Sequence, residues 1–88
     1  MDHKELARAR GLAIDVARRI VDGRCSPDEG ARRMVTDVTA SFAGHAEGDR
    51  VHRAFADDVR DWDQRPEARS RIEEDIRREA WQLIADWV

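Results

Sequence analysis

Few side chains in this sequence have the type and spacing to do chemistry. Cys25 is the only cysteine among the 88 residues, so no internal disulfide can form and no second soft ligand stands beside it. His45, Asp49 and His52 are spaced by four and three residues, which on a continuous helix would place them on one face. Gly48 interrupts that span, and a metal centre needs at least three converging ligands, so a solvated loop is the expectation. Asp58 falls within an apolar stripe, seven residues after Val51. A buried carboxylate needs a partner. The only basic residue in a comparable position is Arg10, so an Arg10–Asp58 ion pair is one reading; the favoured reading places Asp58 at a frayed edge of the core, partly solvated or bonded to a tryptophan N–H. Asp57 and Asp61 lie one turn apart and form the densest acidic face, suited to a basic protein surface. No Ser–His–Asp order, phosphate loop, pair of catalytic carboxylates or defensible metal cluster is present, so no enzyme activity, metal or cofactor is expected.

Helices must position these groups. Asp22-Gly23-Arg24-Cys25-Ser26-Pro27-Asp28-Glu29 ends one helix and starts another. Gly23 suits the position past a helix end, where positive φ is common. Ser26 reads as an N-cap with Pro27 at the first helical position and Glu29 completing a capping box. The first helix should run from about Asp2 to Asp22, with an apolar arc wide enough to touch more than one neighbour. The second runs from about Pro27 to Phe42, with Ala31, Met34, Val35, Val38 and Phe42 in one stripe. A third is expected from Asp49 to Asp63, lined by Val51, Ala54, Phe55, Val59 and Trp62. Pro66 starts the fourth, lined by Ala68, Ile72, Ile76, Ala80, Leu83 and Trp87. Trp81 projects away from that line, flanked by Ile84 and Val88. A tryptophan with aliphatic neighbours is the kind of patch that partners use, unless the first helix or the chain ends cover it.

Composition agrees with an all-α domain. Charged residues make up 40 % of the chain, the formal net charge is -3, and tyrosine is absent. The excess of acids lies in the second half, opposite to what a nucleic-acid binder needs. No apolar stretch is long enough to span a membrane, and a lone cysteine suits a reducing cytoplasm. The expected architecture is a single domain, residues 1–88, folded as a four-helix antiparallel up-and-down bundle.

Asp22, Gly23, Pro27, Glu29, Gly30, Ala31, Arg32 and Arg33 resemble a motif of small, uncharacterised helical proteins of actinobacteria. Phe55, Trp62, Pro66, Arg69 and Glu74 give a looser second match. Together they touch about a third of the chain. The resemblance implies an all-helical fold and no established activity. In layout alone the chain is similar to immunity proteins of the colicin D kind, from which no residue carries over. The expected function is a non-enzymatic protein-binding module, such as an immunity-type or antitoxin-type inhibitor, with Asp57, Asp61, Trp81, Ile84 and Val88 as contacts. The alternative is a homo-oligomeric structural or regulatory protein that pairs through Trp81, Ile84 and Val88.

Overall fold

The computed structural model describes residues 1–88. Four helices form an antiparallel up-and-down bundle measuring 43 × 23 × 17 Å. Helix α1 spans His3–Val21, and Asp2 caps it by accepting the Glu5 amide at 2.8 Å. Gly23 ends it with φ of 74°. Helix α2 begins as Pro27–Arg33, widens into a π-helical stretch over Met34–Val38 and closes with Thr39–Ser41. Helix α3 spans Ala46–Gln64. A 3₁₀ turn, Pro66–Ala68, leads into α4, Arg69–Trp87. Helix α1 packs most extensively on α4, and α2 on α3. The α2–α4 contact closes one diagonal, with no comparable contact between α1 and α3.

The apolar stripes meet in one core that includes Val16, Ile20, Met34, Val38, Phe42, Val51, Phe55 and Ile76, all fully buried. Each such side chain contributes roughly 1.5–3 kcal/mol of transfer free energy. Val35, expected in the stripe, is only partly buried. Met34, Val38 and Phe42 keep a spacing of four, which suits the wider π turn. That turn is pinned by Thr39, whose backbone N–H bonds back to the Met34 carbonyl and whose hydroxyl donates to the same oxygen at 2.6 Å.

Two helix starts differ from expectation. Ser26 has the extended backbone of an N-cap, but its side chain makes no capping bond. Buried Pro27 at the first position sets the entry of the chain instead, and the exposed Ser26 hydroxyl is left to water. Helix α3 starts at Ala46 rather than Asp49, because His45 serves as N-cap and its Nδ1 accepts the Glu47 amide at 3.1 Å. Gly48 thus sits inside the first turn. A Cβ there would lie 2.7 Å from the Phe42 Cβ, so the missing side chain is what lets the end of α2 cross the start of α3.

Gly30 plays the same part between α1 and α2. A Cβ on it would meet Ile20 Cγ1 at 2.3 Å and Cδ1 at 2.7 Å. Gly11, by contrast, lies exposed in α1 with nothing within 4 Å. Gly11→Ala should therefore raise stability by about 0.5–1 kcal/mol through helix propensity. Gly30→Ala should lower it by about 1–3 kcal/mol despite the same propensity gain, because the core there has no room. Urea denaturation of both variants checks the opposite signs.

Candidate functional site

Charged side chains gather at two places along the α3–α4 pair, at the end that holds the C-terminus and partway along the two helices. At the end holding the C-terminus, two guanidinium groups approach the Trp87 indole. Arg10 of α1 is 5.9 Å and Arg50 of α3 is 5.3 Å from the centre of its ring system. Phe42 tilts against the same indole at 5.8 Å. Each arginine is held in turn by a carboxylate. Arg10 Nε and Nη2 donate to both oxygens of Glu47 at 2.7 and 2.8 Å, a bidentate pair. Arg50 donates to Asp86, which also accepts from Gln82 at 2.9 Å. These bonds hold the Glu47 and Asp86 carboxyls below the usual range.

This clasp excludes the Arg10–Asp58 pair. The guanidinium of Arg10 is occupied by Glu47, in the first turn of α3. Asp58 lies three turns further along that helix, out of reach of the Arg10 side chain. Glu47 escaped sequence reasoning because the helix had been expected to begin after it.

Asp58 lies, as the favoured reading has it, at a partly solvated edge of the core, on the side of α3 that meets α4. It is partly buried, and no cation pairs with it. Burial first, then the charges of Asp75 and Glu79 on α4 and of Asp61 and Asp57 on α3, push its carboxyl up to about 6. Arg60 lies 3.4 Å from both Asp57 and Asp61, and Arg78 pairs with Asp75. Four carboxylates, two on each helix, thus act on Asp58, and Arg60 and Arg78 are already engaged with three of them. The sequence marked Asp57 and Asp61 on α3 but not Asp75 and Glu79, since only helix packing brings the second pair across.

Trp81 is 59 % exposed and Val88 75 % exposed, and neither packs against the core. The first helix does not cover Trp81. Ile84 separates from them: it is partly buried and packs against the core, so it edges the patch rather than filling it. An open groove of about 510 Å³ lies elsewhere, between Ala9 and Leu12 of α1 and Ala43 of the α2–α3 turn, with Glu5 and Arg8 at its rim. No group of three His, Cys, Asp or Glu side chains is arranged to hold a metal ion. His45 is spent on capping, and burial raises the Cys25 thiol, the opposite of an activated nucleophile.

The residues of the two sequence motifs have structural work. Gly23 turns the chain, Gly30 admits Ile20, Ala31 fills the core, and Arg32 donates to Asp63 at 2.6 Å, tying α2 to the end of α3. Arg69 stacks over Trp62 at 4.9 Å and donates to its carbonyl at 3.1 Å, closing the α3–α4 corner around Pro66.

Two outcomes follow from this geometry. Because the folded carboxyl of Asp58 titrates above its unfolded value, the native state holds the extra proton between about pH 4 and 6, and its ionisation destabilises the fold above that window. Asp58→Asn should be more stable than wild type by roughly 1 kcal/mol near neutral pH, a figure reduced for the carboxyl's access to water. The advantage should vanish as pH falls to about 4, below both carboxyl values, as read from urea midpoints across pH. At the clasp, Arg10→Gln and Trp87→Leu should each lower the melting temperature. The double variant should lose less than the sum, because both act on one clasp.

No family model, curated protein or solved structure matches the chain.

Proposed function

We propose that this chain is a non-enzymatic, cytoplasmic protein-binding module that meets a basic partner along the α3–α4 side. Inhibition of that partner in the manner of an immunity protein or antitoxin is the form of activity this surface suits. The observation that carries the reading is the acidic seam. The charges of Asp57 and Asp61 of α3 and of Asp75 and Glu79 of α4 all bear on partly buried Asp58, and Arg60 and Arg78 are already engaged with Asp57, Asp61 and Asp75. Such crowding is unfavourable in the free chain and is relieved by a cationic partner. Trp81, exposed on α4, adds the large rigid apolar contact that binding surfaces concentrate their energy in.

A second copy as the partner is favoured by one separate observation. Trp81 and Val88 are, with Met1, the large apolar side chains that stay exposed, the others being buried or partly buried. Pairing through that patch would remove it from water.

The tests separate these partners. Wild type, Asp57→Lys/Asp61→Lys and Trp81→Ala serve as baits in the native lysate, with folding checked by circular dichroism. The charge-reversed bait should capture the specific partner more slowly, and the difference should shrink at high salt. Trp81→Ala should weaken the same complex by about 2 kcal/mol or more if Trp81 is an anchor. Capture unchanged by charge reversal refutes the acidic face. Light scattering over a range of concentrations tests the second copy: a dimer that Trp81→Ala dissolves makes α4 a self-association surface.

A further inference from the structure

His45 sits where the α2–α3 turn, the start of α3 and the clasp meet. Its backbone is extended, with φ of -63° and ψ of 148°, and its Nδ1 accepts the Glu47 amide at 3.1 Å, so that nitrogen carries no proton. The same Nδ1 lies 3.8 Å from Glu47 Oε2, too far for a hydrogen bond and close enough for a charge contact. Both Glu47 oxygens accept from Arg10, and the Arg10 guanidinium lies 5.9 Å from the centre of the Trp87 ring system. One imidazole nitrogen therefore reaches the end of α4 through two charged side chains. We propose that His45 is a proton switch on the clasp: neutral, it caps α3 and leaves Glu47 to Arg10; protonated at Nδ1, it gives up the cap and competes with Arg10 for Glu47.

The exchange follows from what the ring can do. A neutral imidazole has one accepting nitrogen, and an imidazolium has none. Protonation removes the acceptor of the Glu47 amide and sets Nδ1–H against a second donor. Rotation of the ring towards Glu47 Oε2 removes that conflict. A positive charge is also unfavourable at the N-terminal end of a helix unless a carboxylate answers it. The charged groups around the ring are few. Glu47 and Asp49 lie in the first turn of α3. Arg10 comes from α1 across Glu47, and Arg50 of α3 with Asp86 of α4 stands at the same indole. The last turn of α2, Thr39–Ser41, brings no charge. Of these carboxylates only Glu47 lies within 4 Å of the imidazole nitrogens. Its bonds to Arg10 hold it below the usual carboxyl range, so it stays ionised while the imidazole changes charge. With 36 % of its side chain exposed, His45 exchanges protons with water. Histidine side chains change charge between about pH 5 and 8, so acidification within that interval draws Glu47 away from Arg10 and loosens the end of α4.

NMR of the ¹⁵N-labelled chain, titrated from about pH 8 to about pH 5, tests this. At the higher pH the His45 Nδ1 should give the shift of an unprotonated, hydrogen-bonded nitrogen, with the proton on Nε2. As His45 protonates, the Glu47 amide should lose about fivefold of its exchange protection, corrected for intrinsic rates. The Arg10 Nε–H and Trp87 indole N–H resonances should move with the same midpoint. His3 and His52, both exposed, titrate in the same samples as controls. His45→Asn keeps a capping side chain without a titrating nitrogen, and in it the Arg10 and Trp87 resonances should stay fixed over the interval. A proton on Nδ1 at the higher pH would overturn the proposal. So would Arg10 and Trp87 resonances that do not follow the His45 midpoint, or a response retained in His45→Asn. The first two of these readings come from wild type alone and do not depend on the variant folding.

Discussion

Trp87 in contact with both Arg10 and Arg50 is the meeting point on which the arrangement of the bundle turns. It joins α1, α3 and α4 at one point and sits against Phe42, the cap of α2. A last helical turn has unsatisfied carbonyls and tends to fray. Here it is stacked, and the flanking Asp86 is paired. The rotation of α4 about its own axis is thereby set. Ile72, Ile76, Ala80 and Leu83 turn inward, Asp75 and Glu79 turn towards α3, and Trp81 turns out. The same constraint that fills the core also creates the exposed tryptophan and the acidic seam.

Close approach by small residues supplies the second constraint. Gly30 lets α2 lie on Ile20, and Gly48 lets α3 begin directly under Phe42. The π-helical stretch between them keeps Met34, Val38 and Phe42 in the core while the helix passes from one crossing to the other. These features are local in sequence and answer to packing. None contributes a reactive group, and the motif formed by residues 22–33 is best understood as the hardware of the α1–α2 hairpin.

The electrostatics of the molecule are divided along its length. At the clasp, every carboxylate has a guanidinium and titrates low; at the seam, a partly buried carboxylate has only like charges and titrates high. A protein selected for stability alone would not be expected to leave Asp58 in that position, since a neutral residue would relieve it. Such local conflict is the pattern seen where function constrains a surface. It is consistent with a binding surface made to receive positive charge.

Helical periodicity, the Gly23–Pro27 break and Pro66 were enough to read four helices and nearly all of the core from the sequence, because each is a property of a single segment. The same periodicity showed that Trp81 points away from the core stripe, since direction about a helix axis is local. It could not show which charges meet. Arg10 and Asp58 looked like partners because both interrupt apolar arcs, yet the Coulomb interaction depends on distance, and Arg10 reaches α3 at Glu47, three turns away from Asp58. The start of α3 depended on His45 as a cap and on a glycine packed beneath Phe42, which is a tertiary matter. The pairing of Arg10 with Glu47, the approach of Arg10 and Arg50 to Trp87, and the action of the Asp75 and Glu79 charges on Asp58 all bring together residues far apart in the chain. Sequence determines the faces of the helices, through the spacing of apolar and polar side chains. Only their packing decides which faces oppose one another, and with it where the charge is neutralised and where it is left exposed.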